Sequence, residues 1–186
     1  MKIGILGVGH LGGALAEGYA NAGMVSDVIL SPRGRERSTL LRSTHGFEVE
    51  EDNVALVRAC DVVIVSIRPD AVISSIQMLP WREGQVLISA AAGITPGSFR
   101  GAVAPADVVR SMSVLASTLN QSAVSIYPKN QIAIMAFAPL GYVTSIKSED
   151  AFLSVSALGA WFSWLFVLVD SKADDLIEAG VDQQTA

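Results

Sequence analysis

Three glycines near the amino terminus have the spacing of a phosphate-binding turn. Gly7, Gly9 and Gly12 form the pattern GxGxxG between a short apolar run and a run with helical spacing. In such a turn the first glycine allows a tight bend, the second lets the backbone approach a pyrophosphate, and the third lets the helix pack closely on the strand. Backbone N–H groups and the helix dipole then face the phosphates, which predicts a dinucleotide site; a glycine-rich turn without a ligand is the alternative. The predicted contact residues are Gly7, Val8, Gly9, His10, Leu11 and Gly12.

The end of the second predicted strand favours NADP(H) over NAD(H). Enzymes that use NAD often carry Asp or Glu there, which accepts a hydrogen bond from the ribose 2′-hydroxyl and would repel a 2′-phosphate. This chain instead reads ILSPRGR at 29–35. Ser31 can hydrogen-bond a 2′-phosphate, and Arg33, with Arg35 as a further candidate, can pair with it. The alternative is that both arginines belong to a solvated loop.

The other reactive side chains predict neither a metal site nor a hydrolytic triad. The chain has two histidines and one cysteine, without a CxxC motif, a His cluster or a nucleophile elbow. His10, inside the glycine turn, is predicted to contact the cofactor or to cap the helix, and His45 to lie in a surface loop. Cys60 has no partner for an internal disulfide, which favours a reducing, cytoplasmic location.

Alternating strands and helices are predicted to position these residues. Apolar runs rich in β-branched residues predict strands at 2–6, 27–30, 47–49, 61–67, 85–90 and 107–112. Helical spacing predicts helices at 12–23, 35–43, 53–60, 70–79 and 151–179, with Gly180 as a stop. After Tyr127 the pattern predicts at best one helix and one strand, and 147–150 is predicted to be a linker. This alternation predicts an α/β fold of the Rossmann type, a mostly parallel sheet with helices on both faces.

Composition narrows the classes of function. The 186 residues are 51% hydrophobic and 17% charged, so apolar surface must be hidden, and a second subunit would hide it. The net charge of −5 and the scattered basic residues lack the electrostatic footprint of a nucleic-acid-binding protein. The length allows one good core and a smaller helical piece. We predict a cofactor-binding domain at 1–147 and a helical dimerisation segment at 148–186.

The segment 151–169 carries no charged residue and has the length of a membrane span. Its serines, its glycine and its acidic flanks argue against a span, so no membrane partner is expected. A helix that is apolar on most faces is typical of one that another subunit covers, which predicts a homodimer or a higher homo-oligomer. The residues expected in the interface or core first, and in substrate-pocket walls second, are Trp161, Phe162, Trp164 and Phe166.

Five segments together resemble the pyrroline-5-carboxylate reductase family. They are GVGHLGGALAEG at 7–18, DNVALVRACDVVIVSIRPD at 52–70, ISAAAGIT at 88–95, DVVRSM at 107–112 and EAGVDQQTA at 178–186. The first three are shared more widely among NADP-dependent dehydrogenases, whereas their combination with the last two points to this family. The resemblance implies an NAD(P)H-dependent reductase of a cyclic imine, 1-pyrroline-5-carboxylate, with a Rossmann domain and a helical dimerisation domain.

The resemblance also implies cofactor contacts beyond the glycine turn. Ser31 and Arg33 would lie at the 2′-phosphate, and Asn53 would donate and accept near the adenosine, with a plain helix cap as the alternative. The small residues at 91–93 would let the nicotinamide lie flat near the backbone. Arg68 stands where the family has a lysine, which keeps the charge. The remaining implied contacts are Ser66, Ile67, Arg68, Pro69, Ala91, Ala92 and Gly93.

The substrate side departs from the family pattern. The family follows VVR-x-M with Pro-Asn-Thr-Pro, a loop beside the active site, whereas this chain reads MSVLAST at 112–118. A family helix contains Thr-Ala-Leu-Ser-Gly-Ser-Gly-Pro where this chain reads LSVSALGA at 153–160. Ser156 and Gly159 match and are the predicted substrate residues; Leu153, Ala157, Leu158 and Ala160 do not match. The family's Pro-Gly-Gly-Thr-Thr segment, which binds the substrate carboxylate, is expected beyond Ala186.

No catalytic side chain is assigned, because hydride transfer to a cyclic iminium requires positioning and a dry site rather than a general acid. Three hypotheses remain. The first is a reductase of the pyrroline-5-carboxylate type. The second is a reductase of a different imine or ketone, since Leu158 and Trp161 would make the pocket more apolar. The third is a non-catalytic NADP-binding relative whose substrate residues have drifted.

Overall fold

A computed structural model describes residues 1–113 and 115–182, with the side chains of all these residues except 160, 162, 163, 166, 167 and 170. The strands are β1 (Ile3–Leu6), β2 (Val28–Leu30), β3 (Glu48–Val49), β4 (Val62–Val65), β5 (Val86–Ser89), β6 (Asp107–Met112), β7 (Ser122–Tyr127) and β8 (Gly141–Ser145). The helices are α1 (His10–Asn21), α2 (Arg35–His45), α3 (Asn53–Ala59), α4 (Pro69–Ile76), α5 (Pro96–Val103), α6 (Gln131–Phe137) and α7 (Glu149–Glu178). Short 3₁₀ turns lie at Val25–Asp27, Leu115–Leu119 and Ala138–Leu140.

The described strands form one sheet in the order β3-β2-β1-β4-β5-β6-β7-β8. The strands from β3 to β6 in this order run parallel, β7 runs antiparallel to β6, and β8 runs parallel to β7. The carboxyl ends of the parallel strands therefore meet at one edge. The strand order reverses next to β1, and ligands of open α/β sheets bind in the crevice at such a point. The predicted Rossmann-type, mostly parallel sheet is confirmed.

Two apolar layers hold helices against both faces of the sheet. On one face, Tyr19 of α1 packs in a cluster with Phe137 of α6, and its hydroxyl donates to the Ala136 carbonyl oxygen over 2.8 Å. On the other face, Leu56 of α3 and Phe99 of α5 belong to a second cluster. The four residues of β4 alternate between the two clusters, so this strand is buried on both sides. The β-branched run at 61–67 predicts this burial.

Three local predictions need correction. Helix α5 is missing from the prediction because its eight residues, PGSFRGAV, include two weak helix formers, Gly97 and Gly101. Strand β7 is missing because SAVSIY is short and one of its buried alternate positions is a serine, which weakens the apolar alternation. The predicted linker at 147–150 is wrong in its second half, since Ser148 caps α7 by accepting from the Ala151 N–H over 3.2 Å and the helix begins at Glu149.

Helix α7 carries the apolar segment of the chain. Trp161 and Trp164 are 75% and 74% exposed, so neither belongs to the core of this chain. The side chains of Phe162 and Phe166 lie outside the described ones. Among the described residues, no helix combines the length and the hydropathy that crossing a bilayer requires.

Candidate cofactor-binding site

The glycine turn connects β1 to α1 at the carboxyl edge of the sheet. Gly7 has φ +91°, a left-handed conformation that disfavours other residues, and a Cβ there would lie 2.9 Å from the carbonyl oxygen of Ser66. A Cβ on Gly12 would lie 2.2 Å from the carbonyl oxygen of Gly7. Glycine at these two positions therefore lets the turn bend and lets α1 approach the strand ends.

The space above Gly9 is open. Gly9 is the N-cap of α1, no side chain caps the helix there, and its first turn contains no acidic residue. A Cβ on Gly9 would meet nothing within 4 Å. The first N–H groups of a twelve-residue helix are thus left without a side-chain partner, at the positive end of its dipole. This arrangement fits the pyrophosphate of a dinucleotide.

The loop after β2 packs directly on the glycine turn. Ser31 is 1% exposed, and its Oγ accepts a 3.0 Å hydrogen bond from the Gly7 N–H. Gly34 has φ +90°, and a Cβ there would lie 2.6 Å from the Val8 carbonyl oxygen. The Val8 N–H donates to the Arg33 carbonyl oxygen over 3.3 Å, and the Arg33 side chain is exposed. Ser31 therefore stabilises the glycine turn. Its contact with a 2′-phosphate stays a prediction, as does the contact of Arg33 with that group.

Arg37 is a residue of the site that the sequence analysis missed. Its Nη1 donates to the carbonyl oxygens of Gly9 over 3.1 Å and of His10 over 3.4 Å. A Cβ on Gly13 would lie 2.4 Å from the Cδ of Arg37, so the arginine stem lies flat on α1. The double glycine at 12–13 is the one signal that could have indicated a side chain crossing this helix. Arg35, in contrast, is exposed at the start of α2.

Asn53 begins α3 without capping it. The cap is Asp52, whose side chain accepts from the Val54 N–H over 2.9 Å. The Oδ1 atom of Asn53 is buried and has no hydrogen-bond partner among the described residues. Because a buried acceptor without a donor is costly, this atom fits a site that a ligand completes.

The ends of β4 and β5 bring the other predicted residues to the same edge. Ser66 Oγ donates to the Gly7 carbonyl oxygen over 2.6 Å, and Ile67 is half-buried next to Gly7. Arg68 is exposed, with Asp70 at 3.8 Å, and Pro69 is the first residue of α4. After β5, Ala91 is buried, whereas Ala92 and Gly93 are exposed, with φ +75° at Gly93. The structure thus brings the segments at 66–69 and 91–93 to the edge that carries the glycine turn.

The two predicted substrate residues lie on α7. Ser156 is half-buried and donates through its Oγ to the Phe152 carbonyl oxygen over 2.8 Å. A Cβ on Gly159 would lie 3.8 Å from the Sδ of Met112, the last residue of β6. Both residues therefore belong to a helix that approaches the carboxyl end of β6. Val114 of the divergent loop at 112–118 lies outside the described residues, as does 183–186 of the closing family segment.

The two histidines are exposed, and the cysteine is buried. His10 is exposed in the first turn of α1, and His45 is exposed at the end of α2. Burial, with a smaller contribution from the Asp61 carboxylate, raises the pKa of Cys60 to about 12, so the thiol is neutral and is not an activated nucleophile. In the described part of the chain, no three His, Cys, Asp or Glu side chains come together as a metal site.

Known proteins are similar to this chain in sequence. A family model described as "NADP oxidoreductase coenzyme F420-dependent" matches residues 2–93. The chain is 28% identical, over its whole length, to pyrroline-5-carboxylate reductase of Methanosarcina acetivorans and 26% identical to that of Pseudomonas aeruginosa. It covers 73% and 72% of these two relatives.

Solved structures with the same fold include two kinds of reductase. Pyrroline carboxylate reductase of Plasmodium falciparum, solved with NADP bound, aligns with a TM-score of 0.83 at 20% identity, over 100% of this chain and 72% of that one. A reductive aminase of Aspergillus terreus, solved with NADPH, aligns with a TM-score of 0.75 at 16% identity, over 99% of this chain and 69% of that one. These likenesses concern the fold.

The Rossmann sheet and its open glycine turn define an NAD(P)H-dependent oxidoreductase. Within this class the whole-length relatives carry one name in common. Over its whole length the chain is similar to the pyrroline-5-carboxylate reductases of Methanosarcina acetivorans and Pseudomonas aeruginosa.

Proposed function

We propose that the chain binds NADP(H) at the glycine turn and reduces 1-pyrroline-5-carboxylate to proline. The observation that carries the proposal is the open, uncapped amino terminus of α1 above Gly9, in a chain whose whole-length relatives are named pyrroline-5-carboxylate reductase. NADP(H) is preferred because exposed Arg33 offers a cation at the loop after β2 and this loop carries no carboxylate before Glu36. A cytoplasmic location stays a prediction that rests on the single cysteine.

The proposed roles of the residues follow from their positions. The N–H groups of α1 bind the pyrophosphate, and Ser31, Ser66 and Arg37 hold the turn that presents them. The free Oδ1 of Asn53 accepts a hydrogen bond from the adenosine side. The small residues at 91–93 leave room for the nicotinamide beside the backbone. When bound, NADPH supplies a hydride to the imine carbon, and the protein contributes position and exclusion of water.

The substrate is proposed to lie between the carboxyl edge of the sheet and α7. Gly159 lies next to the Sδ of Met112 at the end of β6, and Ser156 is half-buried three residues earlier on the same helix. We also propose the division into a cofactor domain at 1–147 and a helical segment at 148–186, with the segment covered by a second copy of the chain. The exposed Trp161 and Trp164 support this arrangement, because a second copy would remove them from water.

A second candidate is the reduction of a more apolar imine or ketone. Leu115, which follows β6, and Leu158 on α7 are 58% and 57% exposed, at positions where the family carries more polar segments. Apolar side chains at these places would favour a substrate without a carboxylate, because the described residues of 113–121 and 151–171 include no lysine or arginine to pair with one.

NADPH oxidation, followed by the loss of nicotinamide absorbance, tests the proposal directly. The protein is mixed with NADPH and 1-pyrroline-5-carboxylate, and in parallel with a cyclic imine that lacks the carboxylate. Faster turnover of the carboxylate substrate supports the proposal, whereas faster turnover of the plain imine supports the second candidate. Tight NADPH binding without turnover of either compound would identify a non-catalytic relative.

A further inference from the structure

Arg110 on β6 is a buried arginine whose hydrogen-bonding groups are not all used. Its side chain is 2% exposed, and its Nε and Nη1 atoms have no hydrogen-bond partner among the described residues. Burial lowers the pKa of this guanidinium, and the Glu149 carboxylate opposes that shift. A buried ion pair often stabilises a protein no more than apolar residues of similar volume would. Global stability is therefore a poor explanation for an arginine at this position.

Two contacts of the Arg110 side chain come from the first turn of α7. Its Nη1 lies 3.6 Å from the Oε1 of Glu149, and its guanidinium carbon lies 4.6 Å from the centre of the Phe152 ring. Phe152 is itself buried, and its ring centre lies 6.4 Å from that of Tyr127 on β7. A cation that contacts both an aromatic ring and a carboxylate of one helix restricts the rotation of that helix and its position along its axis. The start of α7 is thus attached to β6 through Arg110 and to β7 through the contact of Phe152 with Tyr127.

This attachment point shares a stripe with the predicted substrate residues. Glu149, Phe152, Ser156 and Gly159 are spaced by three, four and three residues, which places them on one side of α7. Arg110 and Met112 are two residues apart on β6 and therefore lie on one face of the sheet. The stripe accordingly follows β6 from Arg110 to Met112, whose Sδ faces Gly159. A shift of α7 by one residue would rotate this stripe by about 100°.

We propose that Arg110 is a positioning residue that sets the rotation and the axial position of α7 through Glu149 and Phe152. By doing so it holds Ser156 and Gly159 at the edge of the sheet that carries the glycine turn. The consequence for catalysis rests on the proposed function; the attachment of α7 itself does not.

The test uses the full chain with two pairs of substitutions. The double variant Arg110→Met/Glu149→Gln keeps the side-chain sizes and removes both charges. The control is Lys172→Met/Asp175→Asn, which removes an exposed ion pair further along the same helix. Hydrogen exchange is measured for peptides that cover 149–159 and 10–21, together with the Kd for NADPH and the KM for 1-pyrroline-5-carboxylate.

We expect exchange at 149–159 to become about tenfold faster in the Arg110 double variant and to stay unchanged at 10–21. The Kd for NADPH should change by less than about twofold, because β4 and β5 separate β6 from the glycine turn at the end of β1, whereas the KM should rise by about fivefold or more. Arg110→Lys should restore only part of the protection, since an ammonium keeps the charge but lacks the planar group that lies over Phe152. The control should match the wild-type protein.

Two outcomes would overturn the proposal. One is unchanged exchange at 149–159 in the double variant, and the other is an equal increase at 10–21, which would show that Arg110 supports the whole fold. If the double variant does not fold, Glu149→Gln alone is judged by the same measurements. Absence of turnover in the wild-type protein would refute the proposed function. The hydrogen-exchange result would still test whether Arg110 attaches α7 to the sheet.

Discussion

The Oγ of Ser66, at the end of β4, donates a 2.6 Å hydrogen bond to the carbonyl oxygen of Gly7, at the end of β1. A Cβ on Gly12 would lie 2.7 Å from this Oγ and 2.2 Å from the same carbonyl oxygen. The first turn of α1 is therefore locked between two strand ends, while Gly9 between them borders open space. Gly12 thus allows close packing of α1, whereas Gly9 borders the space proposed for the ligand.

Alanine at Gly12 and at Gly9 should separate these two roles. Gly12→Ala should destabilise the fold by about 1–3 kcal/mol, because backbone atoms must move to admit the methyl group, and should also weaken dinucleotide binding. Gly9→Ala should cost about 1 kcal/mol or less, since the methyl group meets no atom, yet it should weaken NADPH binding about tenfold by occupying the phosphate space. Chemical denaturation and fluorescence titration with NADPH measure the two effects. Normal NADPH affinity in Gly9→Ala would contradict the assigned ligand side.

The charge of Arg33 should decide between the two nicotinamide cofactors. Arg33→Asp replaces an exposed cation next to the glycine turn by an anion, so it should weaken NADPH binding by about tenfold or more and NADH binding much less. Arg100→Asp makes the same charge change on an exposed residue of α5 and serves as the control. Isothermal titration with both cofactors gives the comparison. Equal losses for NADPH and NADH would show that Arg33 does not read the 2′-phosphate.

The sheet and the glycine turn could be predicted because their signals are local. A β-branched run such as 61–67 is typical of a strand buried on both faces, and GxGxxG between a strand and a helix is typical of a phosphate-binding turn. The contacts of Arg37 and Arg110 could not be predicted in this way. Each of these arginines meets residues at least 27 positions away, and neither its type nor its spacing encodes the partner.

The short elements were missed for a different reason. Strand β7 is placed by pairing with β6 and β8 on its two sides, and its own six residues carry only weak alternation. Helix α5 is placed by burial of Phe99 and Val103 rather than by its propensity. Elements that tertiary contacts define in this manner are poorly predicted from their own sequence.

The buried thiol of Cys60 predicts a dependence of stability on pH. Burial raises its pKa from about 9 to about 12, so the unfolded chain loses this proton above about pH 9 whereas the native chain keeps it. The contribution of the thiol is therefore complete below pH 9 and is lost as the pH rises towards 12. Within this window the stability of the wild-type protein relative to Cys60→Ala should fall by about 1.4 kcal/mol per pH unit.

Denaturant unfolding of both proteins at pH 8, 9.5 and 10.5 measures this difference. Tyr19, whose pKa burial also raises, titrates in both proteins and cancels in the comparison. Parallel stability curves for the two proteins above pH 9 would contradict the prediction.

An exposed apolar stripe on α7 predicts the oligomeric state. Trp161, Trp164, Leu165 and Leu168 are all more than half exposed, and their spacing of three, one and three residues places them on one side of the helix. Such a continuous stripe is unfavourable in water, and the matching stripe of a second copy would cover it.

We expect the wild-type chain to be a dimer in light scattering coupled to size-exclusion chromatography. Trp164→Glu should convert it to a monomer, because the interface cannot bury an unpaired carboxylate without a large cost. Met78→Glu changes an even more exposed apolar residue outside α7 and should leave the dimer intact. A wild-type monomer, or a Trp164→Glu protein with unchanged mass, would exclude this helix as the interface.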